Sequence, residues 1–399
     1  MHLFISNFNS LKRIYFEKDI SFLVLVLSVF LLPFSVNLST FTLISAIVLK
    51  ILQTVFLKQK LFISKPLKYS SALGLVFFTY IIISSIIQNG VSGTIGFFEK
   101  QFSHWVLLFL IPILFRKKEE NIILCYALFL GVIITCAYVF VMSFILNIEF
   151  NNEAFLKVVD IHHTYLSMYL LFFVSTLLIK HITSYKRDKI LSFLLVISLI
   201  VFAFTIIFIL KSKFSIIIFS ILLLLNFVAT ISKNNVLGYI IVFSTLIACG
   251  FVFNKKLNVS YEHAIDFRLS IWKESVSLIK DNPVFGSLKA SEKDLLNYKH
   301  YISGKYYFMD SDLNSHNQYL SMAVKYGFVG IMILLFFVLN VFRTISNKTQ
   351  KSVLKELIGF TLIIAFIFYI ENILDRHHGI VFFTIFYNYF LVALQDENV

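Results

Sequence analysis

Long apolar runs recur along almost the whole chain, and they restrict its fold more than any other feature of the sequence. A helix needs about 20 mostly apolar residues to cross a bilayer, and helices pair their backbone polar groups internally, as the bilayer interior requires. We therefore predict an all-α polytopic membrane protein of about twelve transmembrane helices, with residues 1–399 in a single integral membrane domain. The predicted spans are residues 20–36, 39–57, 70–87, 102–115, 121–146, 163–180, 190–209, 213–230, 236–253, 318–342, 356–370 and 379–394.

The positive charge of the chain follows this predicted topology. The formal net charge is +13, although only 14% of the residues are charged. Lysine and arginine concentrate in alternate connections between the spans, as at Arg116, Lys117 and Lys118, while the short connections on the other side carry few. The positive-inside rule then places both termini in the cytoplasm. Because topology accounts for the charge, we expect membrane lipids as partners and no nucleic acid.

The connection of residues 254–317, between predicted spans nine and ten, is the longest and faces outward in this topology. Loops beyond about 15 residues are usually functional or disordered. Its first part has apolar residues at helical spacing, namely Leu269, Trp272, Val276 and Ile279. This spacing predicts a helix whose apolar face packs on the bundle or lies at the membrane interface. The helix should end at Asp281-Asn-Pro283, because the residue before a proline avoids the helical region.

The start of span ten carries helix-capping residues and two glycines. Asp312, Asn314 and Ser315 offer N-cap chemistry for a helix that begins near residue 318. Gly327 and Gly330 stand three residues apart. Small residues at this spacing are expected to let a neighbouring helix approach closely.

Two residues of the long outer connection have side chains suited to a phosphorylated substrate. His316 stands at a predicted helix start, where free N–H groups and the helix dipole favour an anion. Its imidazole could donate to a phosphate oxygen, accept a proton from a sugar hydroxyl, or serve only as a polar cap. Arg268 could bind phosphate oxygens through both arms of its guanidinium, or could snorkel and pair with Asp266 or a lipid head group.

Lys211 and Lys213 lie between predicted spans seven and eight on the outer side. Charge beside an apolar edge is costly enough to suggest a partner. That partner is either an anionic phosphate or the lipid head groups to which both side chains would snorkel.

Polar residues also open span six and fill the last outer loop. His163 and Tyr165 begin span six, and the adjacent histidines 162 and 163 point to different faces of a helix, which makes a poor metal pair. Glu371 and Arg376 belong to the loop before the last span. A carboxylate in that loop could act as a base, although simple pairing with Arg376 is favoured.

We expect no metal and no other cofactor. Asp310-Ser-Asp312 has the Asp-x-Asp form that binds divalent metal in many sugar transferases, but so short a pattern is common by chance. The sequence shows no glycine-rich phosphate loop, zinc helix motif or nucleophile elbow. The three cysteines lie in apolar runs without metal-type spacing, at Cys125, Cys136 and Cys249.

Four segments together resemble the bacterial O-antigen ligase and O-antigen polymerase superfamily. Ser315-His-Asn-Gln-Tyr319 followed by Gly327-Phe-Val-Gly330 is similar to the family signature His-Asn-x-Tyr-Leu…Gly-x-x-Gly. Arg268-Leu-Ser-Ile-Trp272 continuing to Asp281-Asn-Pro-Val-Phe-Gly286 is similar to Arg-x-x-x-Trp…Asp-x-Pro-x-x-Gly. Leu210-Lys-Ser-Lys213 and His163-Thr-Tyr165 are similar to the Ser-Arg and His-Pro-x-Tyr segments. The resemblance runs from about residue 160 to the C-terminus.

The resemblance implies a glycosyltransferase of the C-type membrane class (GT-C-like) in the bacterial inner membrane. Its donor would be a glycan on undecaprenyl pyrophosphate, and its acceptor a sugar hydroxyl at the periplasmic face, without a nucleotide sugar. The acceptor is lipid A–core for a ligase, which we favour, or another lipid-linked glycan for a repeat-unit polymerase. A lipid-linked glycan flippase or transporter is the alternative from another class, since twelve spans also suit a transporter.

The same resemblance implies roles for individual residues. His316 and Arg268 would be catalytic, and the pyrophosphate would be held by Arg268, Lys213 and Lys211. Lys213 stands where the family has an arginine, and lysine supplies charge without the bidentate fork. The periplasmic loop of residues 254–317 would carry part of the active site. Supporting positions would be Asn317, Tyr319, Trp272, His163, Tyr165, Glu371 and Arg376.

Overall fold

The structure is a computed structural model that describes residues 19–56, 58, 63–115, 118–183, 189–230, 267–309, 313–346 and 349–395. Within these ranges the chain is helical and contains no strand. We number the α-helices in chain order: α1 (Ile20–Leu31), α2 (Val36–Phe56), α3 (Lys65–Leu110), α4 (Lys118–Ile145), α5 (Asn152–Val159), α6 (His163–Thr183), α7 (Lys189–Ile209), α8 (Lys213–Thr230), α9 (267–281), α10 (Glu292–Ile302), α11 (Gln318–Thr344), α12 (Lys351–Ile370) and α13 (His377–Ala393). Short 3-10 helices span Ile111–Leu114, Tyr306–Phe308 and Ile373–Asp375.

Among the described helices, 5 contain a segment long and apolar enough to cross a membrane, namely Val36–Phe56, Lys65–Val91, Asn121–Ile145, Gln318–Thr344 and Lys351–Ile370. Shorter apolar stretches occur at Ile20–Leu31, Ser198–Ile209, Lys213–Leu224 and His377–Ala393. The all-helical prediction is confirmed for the described residues. The predicted ninth span, residues 236–253, lies outside them, so the number of twelve spans stays a prediction.

Two predicted boundaries change in the structure. The first predicted span reaches residue 36, whereas α1 ends at Leu31 and α2 begins at Val36. Pro33 stands in the turn between them, where its missing N–H and fixed φ suit a helix interruption. Predicted spans 70–87 and 102–115 both fall largely within α3, which is broken by Gly90 at φ 68° and ψ 179°. Only glycine adopts such backbone angles readily, so Gly90 separates the two helical parts.

The last helix, α13, lies at the centre of the bundle. Every residue from Gly379 to Ala393 is buried, and α13 contacts α2, α3, α4, α11 and α12. Aromatic rings of α13 pack on Phe172 of α6, with ring centroids 4.3 Å away for Phe386 and 5.3 Å away for Phe382. A helix that is apolar on most sides belongs either in a protein core or in lipid, and α13 is enclosed by the other helices.

Helices α9 and α10 pack against α11 through a small apolar cluster of their own. Its buried members are Ile271, Leu278, Leu296 and Val324. Helix α9 ends at residue 281, which confirms the predicted stop before Pro283. The predicted face of α9 packs only in part. Trp272 contacts Tyr369 and Ile279 lies against this cluster, whereas Leu269 and Val276 are 52% and 41% exposed. A position of that face at the membrane interface stays a prediction.

A break in α11 joins two of the sequence motifs. Gly327 has φ 60° and ψ −155°, so the helical hydrogen-bond ladder is interrupted there. The N–H groups that follow donate instead to the 281–286 loop, from Phe328 to the oxygen of Pro283 (2.8 Å) and from Val329 to that of Val284 (3.2 Å). A Cβ on Gly327 would collide with the backbone of Val284. The expectation that a neighbouring helix approaches Gly327 is therefore wrong, because a loop fills this place.

The first part of α3 fixes the same loop from the other side. The hydroxyl of Tyr80 donates to the carbonyl oxygens of Phe285 (2.8 Å) and Tyr326 (3.1 Å). Asn89 donates to the oxygen of Leu288 (2.7 Å), whose N–H donates to the side chain of Gln88 (2.7 Å). These bonds fasten the end of α9 and the break in α11 to the bundle.

We predict that Gly286→Ala destabilises the protein more than Gly304→Ala. Both glycines have a positive φ, 70° and 69°, so both substitutions introduce backbone strain of about 1–2 kcal/mol. Only at Gly286 would the new Cβ also meet backbone atoms, those of Lys325 and Gly327, whereas Gly304 faces open space. The collision should add roughly 1–3 kcal/mol.

The measurement is the apparent Tm of the detergent-purified variants. Equal decreases in Tm for the two variants would show that the loop does not pack tightly on the break in α11.

Candidate functional site

His316 lies on a turn just before α11 and has an unusual backbone conformation. Its φ is 45°, in the left-handed region that residues other than glycine rarely adopt. Its N–H donates to the side-chain oxygen of Asn314 (3.0 Å). Backbone strain of this kind persists only where the surroundings hold it.

The residues on either side of His316 supply that restraint. The N–H of Ser315 donates to Oε1 of Glu292 on α10 (2.9 Å). The N–H of Asn317 donates to Oδ1 of Asn372, which follows α12 (2.7 Å). Three successive N–H groups, at residues 315 to 317, are therefore each bound by a side-chain oxygen.

Helix α11 is capped by Asn317. Its side-chain oxygen accepts hydrogen bonds from the N–H groups of Tyr319 (3.0 Å) and Leu320 (3.2 Å). The prediction that Asn314 or Ser315 caps this helix is wrong, and Asp312 lies outside the described residues. Capping by the residue next to His316 fixes the turn relative to the helix axis.

The imidazole of His316 faces the carboxylate of Glu371. Nδ1 of His316 lies 3.5 Å from Oε1 of Glu371, and the two side chains are 31% and 15% exposed. Burial alone would raise the pKa of Glu371, but the hydrogen bond and charge of His316, the charge of His162 and the N–H of Asn372 together lower it. Glu371 is therefore ionised at neutral pH and can orient the imidazole.

Arg268 of α9 lies within electrostatic range of the same carboxylate. Burial lowers the pKa of Arg268, while the nearby charges of Glu371 and Tyr369 act to raise it. The guanidinium carbon lies 5.7 Å from the centre of the Phe214 ring, which places it over the first turn of α8. An arginine remains protonated in this setting. Asp266, the alternative partner considered for Arg268, lies outside the described residues.

Lys213 directly precedes Phe214 at the start of α8, and Lys211 lies in the turn before it with a φ of 54°. Both lysines are exposed. The turn that carries the two lysines therefore lies beside Phe214, the residue whose ring Arg268 covers.

The start of α6 borders the site on a further side. The rings of His162 and His163 are 4.0 Å apart, and Tyr165 stacks on His378 with ring centroids 5.2 Å apart. Burial lowers the pKa of His162, and the charges of Arg376 and His316 lower it further while Glu371 opposes them. His162 therefore lies within electrostatic range of the His316–Glu371 pair, although the sequence singled out only its neighbour as a site residue.

Aromatic residues line the side of the site formed by α9, α11 and α12. Trp272 donates from Nε1 to the carbonyl oxygen of Ser315 (2.9 Å) and packs edge-on against Tyr369 at 5.2 Å. The hydroxyl of Tyr319 donates to the oxygen of Ala365 (3.3 Å). Trp272 thus contacts the residue before His316, while Tyr319, three residues after His316, contacts α12.

A buried charged cluster underlies the turn and was missed by the sequence analysis. Lys325 of α11 binds Asp375 Oδ2 (2.5 Å) and Glu292 Oε2 (3.3 Å). Within the described residues, Glu371 pairs with His316 and Asp375 pairs with Lys325. The favoured pairing of a carboxylate with Arg376 is therefore wrong. The available signal was Lys325 itself, because a charge inside an apolar span demands a partner.

Among the residues that the structure describes, no group of His, Cys, Asp and Glu has the arrangement of a metal site. The Asp310-Ser-Asp312 segment lies outside them. Cys125 and Cys136 are buried and form no disulfide with another described residue, and Cys249 is not among the described residues.

Residues 154–335 match a family model described as O-Antigen ligase. The matched range includes the start of α6, the start of α8, Arg268 and His316, and it ends before Glu371. No curated protein matches this chain. The family and the apolar helices support a multi-pass membrane enzyme of the glycosyltransferase type. Residues 154–335 are thus similar to the O-antigen ligase family, in agreement with the resemblance seen in the sequence.

Proposed function

We propose that this protein transfers a glycan from undecaprenyl pyrophosphate to a sugar hydroxyl of lipid A–core, as an O-antigen ligase. The observation that carries the proposal is the grouping of an imidazole, its carboxylate partner and an arginine that come from three different helical segments. His316 comes from the start of α11, Glu371 from the end of α12, and Arg268 from α9. The electrostatic effect of Glu371 on Arg268 links the third residue to the first two.

The pair of His316 and Glu371 suits a general base. With Nδ1 of the imidazole directed to Glu371, Nε2 is left for the acceptor. Nε2 takes the proton of the sugar hydroxyl while its oxygen attacks the anomeric carbon of the donor sugar. The bond between that carbon and the pyrophosphate oxygen breaks, and undecaprenyl pyrophosphate leaves with the bonding electrons. General base catalysis typically contributes about 10²–10⁴-fold.

The leaving pyrophosphate gains negative charge as this bond breaks. A cation that is fixed in place before the reaction stabilises that charge without reorganisation. Arg268 is held over Phe214 in a partly buried position, and its guanidinium offers paired donors to phosphate oxygens. Lys213 and Lys211 add positive charge from the turn beside Phe214.

The topology that accompanies this proposal has both termini in the cytoplasm and the site at the periplasmic face of a bacterial inner membrane. It is supported by the alternation of basic and non-basic connections along the sequence. In this orientation the residues of the candidate site face the compartment where lipid-linked glycans and lipid A–core are both present.

A strain that lacks this gene should separate the acceptor classes. For a ligase we expect undecaprenyl-linked polymer to remain while the lipid A–core carries no polymer, as read from the surface-glycan profile. The appearance of single repeats on the core would favour a polymerase instead. Movement of labelled lipid-linked glycan in liposomes without new glycosidic bonds would favour a flippase.

We predict that His316→Ala and Arg268→Ala each lower glycan transfer by about 10²-fold or more, because one removes the base and the other the leaving-group cation. The measurement is product formation from lipid-linked donor by purified protein. Arg343→Ala is the matched control, since Arg343 also lies over an aromatic ring, that of Tyr69 at 4.8 Å, but at the other end of α11. Unchanged activity in both site variants would exclude the site.

Lys213→Arg should retain or increase transfer activity. If this position holds phosphate, the guanidinium keeps the charge and adds bidentate donors. The comparison is the KM for the lipid-linked donor in the two proteins. A large loss of activity with unchanged stability would indicate that Lys213 has a packing role.

A further inference from the structure

Asn372 connects the two partners of the candidate base. It directly follows Glu371, and its N–H donates to Oε1 of that residue (3.3 Å). Its side-chain oxygen accepts the N–H of Asn317 (2.7 Å) and the hydroxyl of Ser315 (3.4 Å), the two neighbours of His316. With only 1% of its surface exposed, Asn372 is shielded from substrate and contacts the chain around both His316 and Glu371.

The amide nitrogen of Asn372 faces two carboxylates. Nδ2 donates to Glu292 Oε2 (3.3 Å) and to Asp375 Oδ2 (3.4 Å). This donation fixes which way the amide points, because an oxygen in the same place would be repelled by both acceptors. The orientation of the amide in turn directs Oδ1 at the N–H of Asn317.

Glu292 is buried and ionised. Burial would raise its pKa, but the charge of Lys325 and hydrogen bonds from Ser315 and Ser321 lower it. The hydroxyl of Ser321 donates to Oε2 at 2.5 Å. With Lys325 bound to both Glu292 and Asp375, the cluster retains one net negative charge, which the N–H groups of Asn372 and the turn partly offset.

We propose that Asn372 is a positioning residue that holds His316 in register with Glu371 through the turn of residues 315–317. The inference rests on the proposed role of His316 as the base. The left-handed backbone of His316 is restrained by Glu292, which accepts the N–H of Ser315, and by Asn372, which accepts the N–H of Asn317. Of these two acceptors, Asn372 is the neighbour of Glu371 in sequence. A shift of the imidazole by about 1 Å is enough to cost on the order of 10²-fold in rate.

The test is Asn372→Asp, which keeps the size of the side chain and the acceptor for Asn317 but turns the donor into an oxygen that faces two carboxylates. We expect kcat to fall by about 10²-fold while the KM for the lipid-linked donor changes little. Asn340→Asp is the matched control. Asn340 is also a buried amide and donates to the hydroxyl of Tyr387 (3.3 Å). Because Asn340 makes no hydrogen bond with the turn of residues 315–317 within the part of the chain that the structure describes, this substitution should affect stability and leave kcat unchanged.

An exchange of the two groups provides a rescue. In the double variant Glu292→Gln with Asn372→Asp, the new amide at position 292 can donate to the new carboxylate at position 372. Ser321 and Lys325, which lose Oε2 of Glu292, keep Oδ2 of Asp375 as their acceptor. The net charge of the cluster is the same as in the wild type, and an acceptor remains for the N–H of Ser315. We expect kcat to recover at least tenfold over Asn372→Asp alone, an increase that corresponds to one 1.4 kcal/mol step in the barrier.

A wild-type kcat in Asn372→Asp, or no recovery in the double variant, would overturn the proposal. If Asn372→Asp alone does not accumulate in membranes, the double variant carries the test, and a folded but inactive double variant overturns it equally. His316→Ala assayed in parallel separates the two ideas. Activity in His316→Ala would reject the proposed base, whereas an inactive His316→Ala beside a normal Asn372→Asp would reject only the positioning role.

Discussion

The buried ion pairs of Lys325 hold together the parts of the chain that form the site. Each partner belongs to a different segment: Lys325 to α11, Glu292 to α10, and Asp375 to the turn after α12. A charge removed from water is tolerated only when it is paired, and the loss of one partner leaves another charge uncompensated. These ion pairs therefore tie the connection between α9 and α11 to the bundle. The turn of His316 is held in place as well, because the N–H of Ser315 donates to Glu292.

The break in α11 at Gly327 is the second constraint, and it is linked to the first. It occurs two residues after Lys325, and the N–H groups that it frees are bound by the loop after α9. Backbone groups left unpaired in an apolar environment would cost several kcal/mol each. The Asp-Asn-Pro-Val-Phe-Gly and Gly-Phe-Val-Gly segments, far apart in sequence, thus behave as one structural unit. Their similarity to family motifs reflects a contact between backbones as well as any direct role in chemistry.

Most helix positions could be predicted because hydropathy and length alone determine whether a segment crosses a membrane. The residue that caps α11 next to His316 could not be predicted, since it depends on which side-chain oxygen accepts the N–H groups of Tyr319 and Leu320. The packing face of α9 also escaped prediction, because its apolar cluster is completed by Leu296 and Val324 from other helices. His316 and Arg268 stood out through the resemblance to a family. Asn372 had no comparable signal, because its hydrogen bonds to Asn317 and Glu292 join residues 55 and 80 positions apart.

The degree of burial at the site agrees with the chemistry that we propose for it. Glu371, at 15% exposure, is more shielded than His316, at 31%, so the carboxylate that orients the base is kept from water while the imidazole can meet an acceptor. Partial burial also strengthens the attraction between Arg268 and a pyrophosphate, because charges interact more strongly where water is displaced. A fully buried arginine would be costly to keep charged, and a fully exposed one would be screened by salt. A partly buried position such as that of Arg268 satisfies both requirements of the proposed chemistry.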